Sequence, residues 1–117
     1  MERRTNQRLE GSRYEEMAAA YLSEKGMEIV ARNYRNRTGE IDIIARDGNA
    51  YVFVEVKGRK DSRLGDPAEA VTGKKQAVIR RTAAWYRMKE GLTEDTPCRF
   101  DVVTVLGSEI RWIPNAF

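Results

Sequence analysis

Four polar residues in two neighbouring apolar segments have the types and spacing needed for metal-dependent chemistry. Glu40 and Asp42 are two residues apart, and so are Glu55 and Lys57 further along the chain. Side chains two residues apart in a strand share a face. Carboxylates are ligands for Mg²⁺, and a lysine beside them can neutralise a phosphate oxygen or help to activate water. The pattern predicts a site that cleaves phosphodiester bonds with a metal ion.

The connection between the two segments decides whether these side chains meet. An Asp-Gly pair at positions 47–48 is a strong signal for a two-residue hairpin turn. With that turn, Glu40 faces Glu55 directly, and Asp42 lies diagonal to Glu55, roughly 7–8 Å away between backbones. All the polar side chains then share one face, and a divalent cation would relieve their repulsion. A three-residue loop would instead put the two acidic sets on opposite faces.

The composition narrows the chemistry further. The chain has no histidine and one cysteine, Cys98, which excludes zinc sites of the Cys/His kind, histidine triads and an internal disulfide. Any metal site must use oxygen ligands, which favours Mg²⁺ or Mn²⁺. The net charge of +3 permits a polyanionic partner such as nucleic acid. No apolar run is long enough to cross a bilayer, so we expect a cytoplasmic protein without a membrane partner.

A first helix is predicted from Ser12 to about Lys25, with Gly26 as its end. Ser12 and Glu15 match a capping-box pattern, in which the glutamate would only cap its own helix. Glu15 also borders the apolar stripe of the helix, so it could reach the acidic site as an additional carboxylate. Both roles stay open at this point.

A second helix is predicted from Asp66 to about Glu90, because an aspartate followed by proline is a typical helix start. We expect its inward stripe to contain Val71, Val78, Thr82 and Trp85. Polar residues before and within its early turns could contact phosphates or position an attacking water: Arg59, Lys60, Lys74, Lys75 and Gln76.

Five segments have the composition of strands: Met27–Tyr34, Gly39–Arg46, Ala50–Gly58, Arg99–Leu106 and the short Glu109–Ile113. The order is therefore helix, three strands, helix, and one or two strands. This order predicts an α/β (α+β) fold with a mixed central sheet flanked by helices. We expect a flexible basic N-terminus over residues 1–10 and a single nuclease-like domain over residues 11–117.

Several blocks in order resemble a known family. They are Tyr14-Glu15-x-x-Ala18, Gly39-Glu40-Ile41-Asp42-Ile43-Ile44, Val52-Phe53-Val54-Glu55-Val56-Lys57-Gly58-Arg59, Ala70-Val71-Thr72-x-x-Lys75-Gln76, Arg99-Phe100-Asp101-Val102-Val103 and Trp112-Ile113. The chain is similar to the small bacterial YraN-like family of predicted endonucleases over nearly everything from Gly11 onward. That family in turn resembles the restriction-endonuclease-like nucleases, including archaeal Holliday junction resolvases.

The resemblance implies roles for individual residues. The superfamily signature, an aspartate followed by Glu-x-Lys on the next strand, falls on Asp42, Glu55 and Lys57. Glu15 matches the glutamate of the first helix, and the backbone carbonyl of Val56 would complete the metal shell. One departure is Glu40, which stands where the wider superfamily often has a proline beside the aspartate.

Together these features predict a nuclease that uses Mg²⁺ or Mn²⁺ and acts on DNA, with branched or damaged DNA as candidate substrates. Asp42 and Glu55 would hold the metal, and Glu15 and Glu40 would lie in or beside its shell. The resemblance also allows a homodimer, because resolvase-like relatives pair to cut two strands. Two alternatives stay open: a nucleic-acid-binding module without catalysis, and a scaffold protein whose acidic cluster is a structural ion-pair network.

Overall fold

A five-stranded sheet separates the two long helices of the protein. The computed structural model describes the backbone of residues 2–117 and the side chains from Ser12 onward. Its elements are α1 (Glu2–Glu24), β1 (Glu28–Asn36), β2 (Gly39–Asp47), β3 (Ala50–Arg59), a short 3-10 helix (Pro67–Ala70), α2 (Gly73–Lys89), β4 (Cys98–Leu106) and β5 (Glu109–Ile113). The predicted fold class, a mixed sheet flanked by helices, is confirmed.

The strands lie in the sheet in chain order, from β1 to β5. All neighbours are antiparallel except β3 and β4, which are parallel and are connected through α2. A parallel pair needs such a crossover, because the chain must return to the end at which the first strand began. The central strand β3 is therefore covered on both faces, which explains its continuous apolar run from Tyr51 to Val54.

Each helix covers its own apolar core on one face of the sheet. On the α1 side, Ala18, Leu22 and Met27 pack against Ile43, Ala45, Val52, Val54, Val56 and Val103. On the α2 side, Ile79, Ala83 and Tyr86 pack against Ile41, Ile44 and Phe53. Within the described part of the chain, neither helix is long and apolar enough to span a membrane.

The predicted second helix is wrong in two respects. Asp66 caps only the 3-10 helix, accepting a hydrogen bond from Ala68 N at 2.9 Å, and α2 starts anew after Thr72, whose hydroxyl accepts from Lys75 N at 3.3 Å. The Asp-Pro signal is genuine, but Thr72 followed by glycine starts the longer helix. The inward stripe also differs: Ile79, Thr82, Ala83 and Tyr86 are buried, whereas Trp85 is 50% exposed.

The predicted start of the first helix is also wrong. Because α1 already begins at Glu2, Ser12 lies inside the helix and does not cap it. Met1 and the side chains of residues 2–11 are outside the described part of the chain. The division into a flexible segment, residues 1–10, and one domain, residues 11–117, therefore stays a prediction.

A glycine in β3 lets α1 approach the sheet closely. A Cβ atom on Gly58 would lie 2.0 Å from Cδ2 of the Tyr14 ring, far inside van der Waals contact. Tyr14 packs against the α1-side core and is only one residue from Glu15. The absence of a side chain at Gly58 therefore fixes how deeply this part of the helix sits.

We expect Gly58→Ala to lower the free energy of unfolding by about 1–3 kcal/mol, the usual cost of forcing an extra methyl group into a packed region. Urea unfolding followed by circular dichroism would measure the change. Gly73→Ala is the matched control, because a Cβ there meets no atom within 4 Å. Gly73 is also the first residue of α2, where alanine is a good helix former. Equal losses in the two variants would contradict the packing explanation.

Candidate active site

The turn between β2 and β3 is displaced by one residue from its predicted position. Asp47 pairs with Ala50, so the two turn residues are Gly48 and Asn49, and the predicted Asp47-Gly48 turn is wrong. Gly48 has φ of +61°, which suits the first central position of a hairpin turn. The register moves by two residues as a result. One step beyond the last pair, Ile43 with Val54, Asp42 lies opposite Glu55 rather than diagonal to it, and Glu40 no longer faces Glu55.

The alternation of side chains along β2 is interrupted at Asp42. Ile41 and Ile44 both belong to the α2-side core, whereas Ile43 belongs to the α1-side core. Across the strand pair, the residue of β1 between the partners of Ile41 and Ile43 is Asn33, which has φ of +54°. The regular pairing of β1 with β2 is therefore interrupted at Asn33 and Asp42.

Asp42 turns toward the neighbouring strand instead of toward either helix. Its Oδ2 accepts a hydrogen bond from the backbone N–H of Val56 at 2.9 Å. This side-chain bond lies beyond the last backbone pair between β2 and β3, where Ile43 faces Val54. The carboxyl group of Asp42 therefore occupies the region where the two strands stop pairing.

The predicted position of Glu40 is wrong for a related reason. A Cβ on Gly39 would meet Val78 and Thr82 of α2, and Ile41 packs on the same side, so Glu40 between them points toward the α1 face. Its Oε2 lies 2.9 Å from the Arg35 guanidinium. The sequence predicts that Glu40 and Glu55 share a face only if side chains alternate without interruption along β2, and this alternation is interrupted at Asp42.

Glu55 is the most deeply buried carboxylate of the site. It is 4% exposed, and Nζ of Lys75 on α2 lies 2.8 Å from its Oε2. The Lys75 ammonium is therefore the charge partner of Glu55. Lys57 completes the group: burial and the neighbouring Lys75 ammonium lower the pKa of Lys57. Burial alone would also lower the pKa of Lys75, but its contact with Glu55 outweighs this and raises it.

Asp42 is held in its neutral form by the same neighbours. Burial, a hydrogen bond with the Glu55 side chain and the charge of Glu55 raise the pKa of Asp42 to about 9, against the opposing effect of the Val56 N–H. The charge of Glu55 repels a second negative charge on Asp42, so Asp42 holds its proton more tightly than an ordinary aspartate.

Glu15 reaches the site from α1. Burial and then the charge of Glu40 raise the pKa of Glu15, while Arg32 and a hydrogen bond with Asn33 oppose them. Its Oε1 is buried and has no hydrogen-bond partner within the described side chains. The charge of Glu15 also contributes to the raised pKa of Asp42. The structure therefore brings Glu15 together with Asp42, Glu55 and Lys57, and their catalytic roles stay predictions.

These residues fit a hard cation held by few protein ligands. Within the side chains from Ser12 onward, no three acidic or cysteine side chains converge closely enough to form a closed metal cage. Mg²⁺ does not need one, since it usually binds one or two carboxylates together with waters and substrate phosphates. The buried Glu15 Oε1, which has no hydrogen-bond partner in the described part of the chain, and the raised pKa of Asp42 are the features that a divalent cation would compensate.

The residues predicted to bind nucleic acid divide into different groups. Lys75 faces Glu55 inside the site. Arg59 donates hydrogen bonds to the carbonyls of Leu64 and Gly65, and Gln76 Nε2 donates to Val71 O at 3.1 Å, so both hold local backbone. Lys74 is exposed on α2, and Lys60 is exposed beside a cavity of about 280 Å³ that Arg13 and Tyr14 also line.

Sequence reasoning missed two contributors to the site. It assigned Lys75 to phosphate contacts and not to Glu55, since no local pattern connects residues of α2 and β3. It also did not identify Asn33, whose side chain forms a hydrogen bond with Glu15. An asparagine inside a predicted strand is a usable signal, because asparagine tolerates positive φ better than most residues.

We expect Asp42→Asn to stabilise the fold increasingly as the pH rises. In the wild type the proton-linked stability is complete below the unfolded pKa of 3.8 and is lost as the pH approaches the folded pKa of about 9. The asparagine oxygen still accepts from the Val56 N–H but does not titrate. Relative to the variant, the wild type should lose up to about 1.4 kcal/mol per pH unit between roughly pH 5 and pH 8.

Urea unfolding of both proteins across this pH range would measure the difference. Asp95→Asn makes the same chemical change at an exposed position, and its difference from the wild type should stay flat. A wild type that gains stability over Asp42→Asn as the pH rises would show that Asp42 is ionised in the folded protein.

The relatives of this chain agree with the resemblance found in its motifs. The model of the uncharacterised protein family UPF0102 matches residues 14–105. A UPF0102 protein of Lachnoclostridium phytofermentans is 54% identical over 96% of this chain and 95% of its own length. UPF0102 proteins of Aliivibrio fischeri (46% identical; 99% and 97% covered) and Yersinia enterocolitica (43%; 92% and 92%) are also similar. The predicted YraN-like resemblance is thereby confirmed, and the chain belongs to the UPF0102 family.

Proposed function

We propose that this protein is a nuclease that hydrolyses phosphodiester bonds in DNA with the help of Mg²⁺ or Mn²⁺. The observation that carries the proposal is the position of Asp42 and Glu55 where β2 and β3 stop pairing. Asp42 accepts the Val56 N–H there, and Nζ of Lys75 lies 2.8 Å from the buried Glu55 carboxylate. Burial and Glu55 raise the pKa of Asp42 to about 9, and burial and Lys75 lower the pKa of Lys57. Strongly perturbed acidic and basic groups gathered at one position are typical of catalytic sites. Here they lie where two central strands separate.

Each residue has a role that follows from its position. Asp42 and Glu55 would hold the cation, with the Val56 carbonyl and Glu15 as further oxygen donors close by. When bound, the cation would polarise the phosphate and lower the pKa of water. Lys57, whose pKa is lowered, is suited to orient the attacking water or to neutralise charge on the phosphate. Lys75 balances the charge of Glu55.

The arrangement argues against a purely structural ion-pair network. A scaffold would satisfy its buried carboxylates, because an unpaired buried charge destabilises the fold. Here Glu15 Oε1 is buried and has no hydrogen-bond partner in the described part of the chain. Asp42 also keeps its proton far above the usual pH for an aspartate. A bound divalent cation would offset both of these unfavourable features, because carboxylates are its preferred ligands.

We expect Mn²⁺ to raise the unfolding temperature of the wild type and to support cleavage of DNA. A ligand at about a hundred times its dissociation constant adds roughly 2.7 kcal/mol to the free energy of unfolding. Asp42→Asn and Glu55→Gln should remove the stabilisation. They should also slow cleavage by more than about 100-fold, because even residues that support metal ligands account for about 10–100-fold.

Thermal unfolding with chelator, Mg²⁺ or Mn²⁺, and cleavage of linear and branched DNA, would test both effects, with Asp95→Asn as the control that retains them. Intact metal-dependent cleavage in Asp42→Asn would refute the assignment. DNA binding that persists in chelator and in Glu55→Gln, without any cleavage, would identify a binding module instead.

A further inference from the structure

A basic, aromatic cavity lies between the β1–β2 turn and α2. Its volume is about 300 Å³, which is at the lower end of the range for small-ligand pockets. We call it the Trp85 pocket. Its lining residues are Tyr34, Arg35, Asn36, Arg37, Trp85 and Lys89.

Trp85 is placed differently from the other tryptophan of the chain. The indole N–H of Trp112 donates to the buried carboxylate of Asp101 at 2.9 Å, so that ring has a structural role. Trp85 is 50% exposed, although its neighbours Thr82 and Tyr86 on α2 are buried. An exposed indole face is available to stack on a planar ligand such as a nucleobase.

The charges around this indole are positive. The pocket is lined by three basic side chains and by no acidic one among the described residues. Arg35 is paired with Glu40 and remains 76% exposed, whereas Arg37 and Lys89 make no ion pair with any described residue. The pocket therefore favours a ligand that carries negative charge beside an aromatic ring.

The pocket is anchored to α2 and lies at the same end of the sheet as the proposed catalytic residues. Asn36 Nδ2 donates to the Thr82 carbonyl at 3.2 Å, and the hydroxyls of Thr38 and Thr82 are 3.0 Å apart, so the turn is fixed to α2. Gly39, the first residue after this turn, is three residues before Asp42. At about 3.3 Å per strand residue, the turn is on the order of 10 Å from the proposed scissile position.

We propose that the Trp85 pocket binds an unpaired nucleobase of a DNA strand, which stacks on Trp85 while Arg37 and Lys89 contact the flanking phosphates. The identification of this DNA as the substrate rests on the proposed nuclease function. Bases inside a duplex are stacked on each other and offer no free face. A pocket of this kind therefore selects DNA with single-stranded nucleotides on the order of 10 Å from the cleaved bond.

Binding of fluorescently labelled oligothymidine and of a blunt duplex of equal length, measured by anisotropy in chelator at fixed salt, tests this proposal. Trp85→Ala should weaken oligothymidine binding by about 5- to 150-fold, since stacking of one base is worth about 1–3 kcal/mol. Trp85→Phe should retain most of the affinity. Duplex affinity should stay the same in both variants.

Two further variants sharpen the test. Met88→Ala removes another exposed side chain of α2, 64% exposed and outside the pocket, and should leave both affinities unchanged. Arg37→Gln should weaken oligothymidine binding. It should also reduce the slope of log affinity against log salt concentration by about 1, the contribution of one phosphate contact.

Several results would overturn the proposal. They are failure of the wild type to bind oligothymidine, an unchanged affinity in Trp85→Ala, and an equal loss of affinity for the duplex. Because chelator prevents cleavage, this experiment is independent of the nuclease assay. Trp85-dependent binding without any cleavage in Mn²⁺ would uphold the pocket and refute the nuclease.

Discussion

The proximity of Asp42 to Glu55 is the constraint on which the rest of the site depends. Two carboxyl groups at this distance in a buried position repel each other when both are ionised, so the fold must either keep a proton or supply positive charge. The protein does both. Burial and Glu55 raise the pKa of Asp42 to about 9, and Nζ of Lys75 lies 2.8 Å from Oε2 of Glu55. The free-energy cost of this pair is offset by apolar packing on both faces of β2 and β3.

The backbone makes this proximity possible by giving up regular pairing at one point. The β2–β3 ladder ends at Ile43 and Val54, and the Asp42 side chain accepts the Val56 N–H beyond it. On the other side, Asn33 adopts positive φ, and the alternation of β2 is interrupted. The carboxyl group can therefore lie between the strands, beside Glu55 of β3 and within electrostatic range of Glu15 on α1 and Lys75 on α2. Irregular backbone at a point of high charge is a common sign of function.

Most of the fold could be predicted from local patterns. The strands β2, β3, β4 and β5 were located within a residue or two, because apolar runs bounded by glycine and charged residues are strong signals. The errors lay where competing signals were close together. Asp66-Pro67 and Thr72-Gly73 both start helices, and only the second starts the long one. The helical pattern predicts Trp85 inside, but the neighbouring Tyr86 ring occupies the space under α2 and the indole lies at the surface.

By itself the sequence predicted a type of chemistry and the residues that would carry it. Without histidine, and with Asp42, Glu55 and Lys57 in neighbouring strands, an oxygen-ligand metal site was the consistent prediction. Only the tertiary structure decided the register of the hairpin, the separation of Glu40 from Glu55, and the position of Lys75 against Glu55. The physical reason is that residue types and spacing act locally. Register and long-range charge contacts depend instead on turn geometry, a single irregular strand position and the docking of distant helices.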